Sequence, residues 1–216
     1  MLTPLRRRRA AALARGLATA AALGATAPWW GPGWCATLAP LIEAVLVAAA
    51  APWDTVRVAL SSDGGQAVLT ALFSTTHGFV YQGFPVPPGT WVRTQTLQGY
   101  AWQHPVIVLT LWAAWPMPRP GARLRAGAAL LAAMVSVAVI DLSLALYGSL
   151  TDLMLAGTAP TLTKSSFPVQ AMQVLEAGGR AALALAVAVA ILATVPRAAR
   201  RSTASLGGAA AMDGLP

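Results

Sequence analysis

Asp141 stands inside the apolar run AALLAAMVSVAVIDLSLALYG. A carboxylate there costs at least about 2.5–3.5 kcal/mol to place in lipid unless it is paired or protonated, so it requires partners. Two residues qualify by position: His104, which opens the run HPVIVLTLW, and Arg180, which opens RAALALAVAVAILATV. A polar cluster of His104, Asp141 and Arg180 is therefore predicted, tying three apolar helices together. The same acid is the residue that a transporter subunit would use to carry a proton or ion. Cys35 offers a second chemistry, because a cysteine nucleophile needs a base and a cation, and His104 and Arg180 supply both types. That set would make a membrane cysteine peptidase or transpeptidase; the plainer reading of Cys35 is a small buried apolar residue. His77, in TTHGFVYQGF, reads as a surface or turn histidine. Phe79, Tyr81, Phe84 and Trp91 would form either a docking face for a partner strand or the membrane-facing side of a small sheet.

The elements that hold these residues belong to a membrane protein. Of the 216 residues, 56% are hydrophobic and only 10% charged, against roughly 25% charged in a soluble domain. The formal net charge is +8, and 11 of the 15 cations fall in three groups: Arg6–Arg9 with Arg15, the turn Arg119–Arg125, and Arg197, Arg200 and Arg201. Each group flanks an apolar segment without interleaved aromatics, which argues for topology signals and anionic lipid contacts rather than nucleic acid. A single cysteine allows no internal disulfide, and the two histidines lack metal-ligand spacing, so neither a metal nor another cofactor is expected. There is no Walker loop, GxSxG or dinucleotide fingerprint.

The basic turn 119–125 orients the chain. By the positive-inside bias it faces the cytoplasm, and the flanking segments 99–150 become a transmembrane hairpin with spans at about 102–116 and 125–147. The N-terminus resembles a signal peptide, but Pro28 would follow the Ala-Thr-Ala site, so retention is expected. Residues 1–53 then hold a first span at 14–35, ringed by Trp29, Trp30 and Trp34, and an apolar helix at 36–53 that continues along the outer surface or packs on other spans; 35–53 is the alternative first span. Residues 54–98 carry the hairpin pattern Val56-Arg57-Val58-Ala59-Leu60, a turn at Ser61–Gly65 and QAVLTALFST, with a further strand at Trp91–Leu97. An outer loop at 151–178, a fourth span at 179–196 and a disordered cytoplasmic tail at 197–216 complete the reading. The expected fold is mainly α, with four transmembrane helices, a small extracytoplasmic β-hairpin region between the first and second spans, and both termini in the cytoplasm.

Taken together, the Trp- and Cys-containing first span running into LAPLIEAVL, the small β region, GY before a span, the basic turn, LALYGSLTDLM and VLEAGGRAALALAVAVAILATVP resemble the exosortase H-associated membrane proteins. The likeness covers most of the chain as an order of segments. It implies a multi-pass protein of a Gram-negative inner membrane that assists or regulates an exosortase, the polytopic cysteine transpeptidase of a protein-sorting system. It carries over no catalytic residue. The expected partners are thus the lipid bilayer and a membrane protein such as an exosortase. The expected role is nonenzymatic, with the cysteine peptidase and the Asp141 transporter subunit as alternatives.

Overall fold

The computed structural model describes residues 4–49, 53–117 and 120–194. Arg119, the Arg197–Arg201 group and the tail expected to be disordered lie outside the described residues. The molecule is mainly helical with a small antiparallel sheet, and three of its helical stretches, Arg9–Ala49, Pro120–Thr158 and Phe167–Thr194, are long and apolar enough to cross a membrane.

Helix α1 (Pro4–Ala49) is continuous through WWGPGW and joins the expected first span, 14–35, to the apolar helix expected from residue 36. Its 46 residues extend about 69 Å at about 1.5 Å each, roughly twice a hydrocarbon core of about 30 Å. Pro28, Pro32 and Pro40 all lie within the helix, and side chains beside Pro28 add hydrogen bonds to carbonyls of the preceding turns. Thr26 Oγ1 donates to the Ala22 carbonyl (2.7 Å) and Trp30 Nε1 to the Leu23 carbonyl (3.3 Å). Gly31 is a packing residue and not a breaker, since a Cβ there would lie 2.2 Å from the Trp102 indole nitrogen of the next helix.

The sheet follows. Strands β1 (Trp53–Asp63), β2 (Gln66–Thr75) and β5 (Trp91–Leu97) pair antiparallel in the order β1-β2-β5. The turn between β1 and β2 is only Gly64-Gly65, with φ of 55° and 81°, while Ser61, Ser62 and Asp63 pair as strand. Two left-handed residues make the type I′ turn whose twist suits a hairpin. A second hairpin, β3 (Phe79–Tyr81) and β4 (Phe84–Val86), turns through Gln82-Gly83 with φ of 51° and 84°. The strand alternation that the sequence shows puts Val56, Leu69, Ala71 and Phe73 on one buried face. They pack with Leu38, Ile42 and Leu46 of α1 and with Leu142, Leu146 and Leu150 of the third helix. Burial of each large side chain contributes about 1.5–3 kcal/mol, so a sheet too small to stand alone is held by the two helices. Glu43, the acid of α1, accepts from the Val58 amide (2.9 Å) and fixes β1 on α1.

Helix α2 (Gln98–Ala114) runs antiparallel to α1, with Gly16 of α1 against Ala114 and Gly31 against Trp102. Small residues allow this close approach. Helix α3 (Pro120–Thr158) is 39 residues long, about 58 Å. It continues well past the expected span, 125–147. The segment expected to be an outer loop, 151–178, is largely helical: the end of α3, a 3₁₀ turn (Pro160–Ser165), α4 (Phe167–Val174) and a wide turn (Leu175–Gly179). Gly148 explains this, because a Cβ there would sit 2.6 Å from Met172 Cβ and from the Pro168 carbonyl, so α4 lies directly on α3. Gly178, with φ of 109°, kinks the chain before the last helix, α5 (180–194).

Candidate functional site

The three ionisable residues singled out by position converge. Asp141, at mid-length of α3, accepts from His104 Nε2 of α2 through Oδ2 (2.8 Å) and from Arg180 Nε of α5 through Oδ1 (2.9 Å). All three are buried, with at most 1% of any of them exposed. Each helix contributes for a local reason. Asp141 lies on the face carrying Ala138, Ala145 and the Leu142–Leu146–Leu150 row, so α3 turns it toward its neighbours with its apolar stripe. His104 precedes Pro105 in the second turn of α2. Arg180 opens α5 immediately after the Gly178 kink, which re-aims the chain from the α4 direction.

A fourth member escapes the sequence reading. The Arg180 guanidinium carbon stands 4.0 Å from the centroid of the Tyr100 ring, a cation–π contact that gains strength away from water. The signal for it is the spacing, since Tyr100 and His104 are four apart and share a helix face. The Arg180 guanidinium balances the Asp141 carboxylate, and His104 meets the other carboxylate oxygen through Nε2. Among the described residues, His104 Nδ1 and both terminal amines of Arg180 have no hydrogen-bond partner. The Tyr100 face is what meets the guanidinium. The arrangement is therefore a closed three-helix tie, electrostatically matched and shut off from solvent.

Cys35 is wholly buried in the core between α1, the sheet and α3, with Leu38, Ala101 and Leu142. Its polar neighbour is Gln98. Among the described residues it makes no hydrogen bond with His104 or Arg180, and His104 Nε2 is engaged by Asp141. Cys35 thus behaves as free cysteines usually do in cores. His77 is exposed and bonded through Nδ1 to Thr76 Oγ1 (2.8 Å). Among the described residues no three His, Cys, Asp or Glu side chains are grouped to hold a metal ion.

The tryptophans expected as an aromatic belt divide. Trp29 is 80% exposed, whereas Trp30 packs on Trp102 at 6.5 Å and Trp34 Nε1 donates to the Ala101 carbonyl (3.1 Å). The aromatic run of the β region also divides. Tyr81 packs its ring on Gly157 at the end of α3, and the Gln82 amide donates to the Gly157 carbonyl (3.2 Å). Val80 and Phe84 point away, 57% and 73% exposed, and Trp91 is 49% exposed. Comparison of the chain with protein-family models, curated proteins and solved structures finds no match.

Proposed function

We propose that the protein is a four-span, nonenzymatic accessory subunit of a membrane protein-sorting system of the exosortase type, and that it engages its partner through the β3–β4 hairpin. The observation that carries this reading is the position of Val80 and Phe84. With the basic turn at one membrane surface, residues 125–145 of α3 cross about 30 Å, and Gly157, on which the hairpin sits, lies roughly 20 Å further out. Apolar side chains exposed at that height meet neither lipid nor their own core. Such residues mark a protein interaction site.

Other features support the same arrangement. Helix α2, with 17 residues, covers about 26 Å and lies against α1 along its length, which suits a fourth span. The sealed tie at Asp141 suits a scaffold that holds its helices in register. The order of segments, from LAPLIEAVL to the final VLEAGGRAALALAVAVAILATVP, resembles that of the exosortase-associated proteins, which supports a Gram-negative inner membrane, and the basic turn supports a topology with both termini in the cytoplasm. Purification from native membranes in mild detergent tests the reading. A polytopic sorting enzyme is expected to co-purify with the unaltered chain and to be lost with Phe84→Asp. Retention of the same partner by Phe84→Asp would refute hairpin docking, and absence of any sorting enzyme would refute the role.

A further inference from the structure

A groove opens between α2 and α3 near the basic turn, at the opposite end of the molecule from the sheet. Val108 and Trp112 of α2 and Leu124, Gly127, Leu131 and Met134 of α3 line it, its volume is about 360 Å³, and its walls are almost wholly apolar. From Leu124 to Met134 it rises about 15 Å along α3, half of a hydrocarbon core of about 30 Å and so the depth of one leaflet. Gly127 keeps it open beside Trp112, whose ring would stand 3.3 Å from a Cβ at that position.

The mouth of the groove is positively charged. Arg123 stacks over Trp112 with its guanidinium carbon 5.0 Å from the ring centroid, and Trp112 Nε1 donates to the Arg123 carbonyl (3.3 Å). Arg125 lies exposed half a turn on. The chain has no acid between Asp63 and Asp141, and the ion pairs among the described residues involve neither arginine.

From these features we infer a binding site for one anionic phospholipid, its acyl chain in the groove and its phosphate against Arg123, with Arg125 adding to the positive potential at that surface. Charge selects the headgroup, since cations beside a membrane surface favour acidic lipids and guanidinium suits phosphate oxygens. Depth suits an acyl chain, since the groove runs about the length of one leaflet. The site is separate from the hairpin and stands whether or not the hairpin docks a partner.

Native mass spectrometry of the full-length protein, purified and exchanged with phosphatidylglycerol or phosphatidylcholine of equal chain length, tests the proposal. One phosphatidylglycerol is expected to be retained in preference to phosphatidylcholine. Replacing Arg123 and Arg125 by Gln should reduce that preference about fivefold for each arginine removed. Ala128→Phe, which fills the groove from an exposed position, should abolish retention of both lipids while the unfolding midpoint stays unchanged. Equal retention of the two lipids by the unaltered protein would overturn the headgroup assignment. Undiminished retention by Ala128→Phe would overturn the groove, and so would a second copy of the chain cross-linked through Ala128→Cys in place of lipid.

Discussion

Asp141 uses both carboxylate oxygens, one for each of two neighbouring helices, so its removal strands a buried cation. Asp141→Leu is expected to lower stability by about 3–5 kcal/mol, the usual cost of breaking a buried pair from one side. The midpoint of denaturant unfolding in detergent measures it. Asp141→Leu combined with Arg180→Leu should recover much of the loss, because it removes both charges; an additive loss would show that the two residues do not act together. Cys35, with none of its surface exposed, is expected to resist a membrane-impermeant maleimide in the folded protein and to react after denaturation. Rapid labelling of the native state would reopen the nucleophile reading. At this scale much of the site was legible beforehand, because lone polar groups in apolar runs have few possible partners. Tyr100 was not, since an aromatic at a span end reads equally well as an interfacial anchor, and only the Gly178 kink brings Arg180 over its ring.

Between elements, contacts are made where small residues let backbones approach. Gly31, Gly148 and Gly157 lie under Trp102, Met172 and Tyr81 respectively. Gly148→Val is expected to push α4 off α3 at a cost of about 1–3 kcal/mol, as overpacking does, and to speed proteolysis in the 159–166 connection. Unchanged cleavage rates would contradict the close seating of α4. These roles explain why element boundaries were harder to read than element types. Glycine and proline in WWGPGW look like punctuation, yet both occur within α1, where Gly31 makes room for Trp102. The 151–178 segment lacks a long apolar run, so its helices were hidden; tertiary packing on α3, rather than intrinsic pattern, makes them. The Gly64-Gly65 hairpin was visible through the alternation of Val56, Val58 and Leu60 before the glycines and the apolar run QAVLTALFST after them. The Gln82-Gly83 hairpin has strands of three residues, too short for any alternation to show.

On the scale of the whole molecule, two helices, each roughly twice as long as a hydrocarbon core is thick, carry the sheet against their C-terminal halves. The sheet's inner face is consumed by α1 and α3, the Asp141 tie locks three helices below it, and the β3–β4 hairpin is left at the far end with Val80 and Phe84 uncovered. Under the proposed accessory role, these exposed apolar side chains are where the membrane partner is expected to bind. The most direct measurement of that role is photo-crosslinking in intact membranes with a photoreactive amino acid replacing Phe84, followed by mass spectrometric identification of the adduct. A single polytopic sorting enzyme joined to this position, and not to a photoreactive control replacing exposed Leu131 in the membrane hairpin, is the expected result. An adduct with lipid alone, or identical protein adducts from both positions, would contradict it.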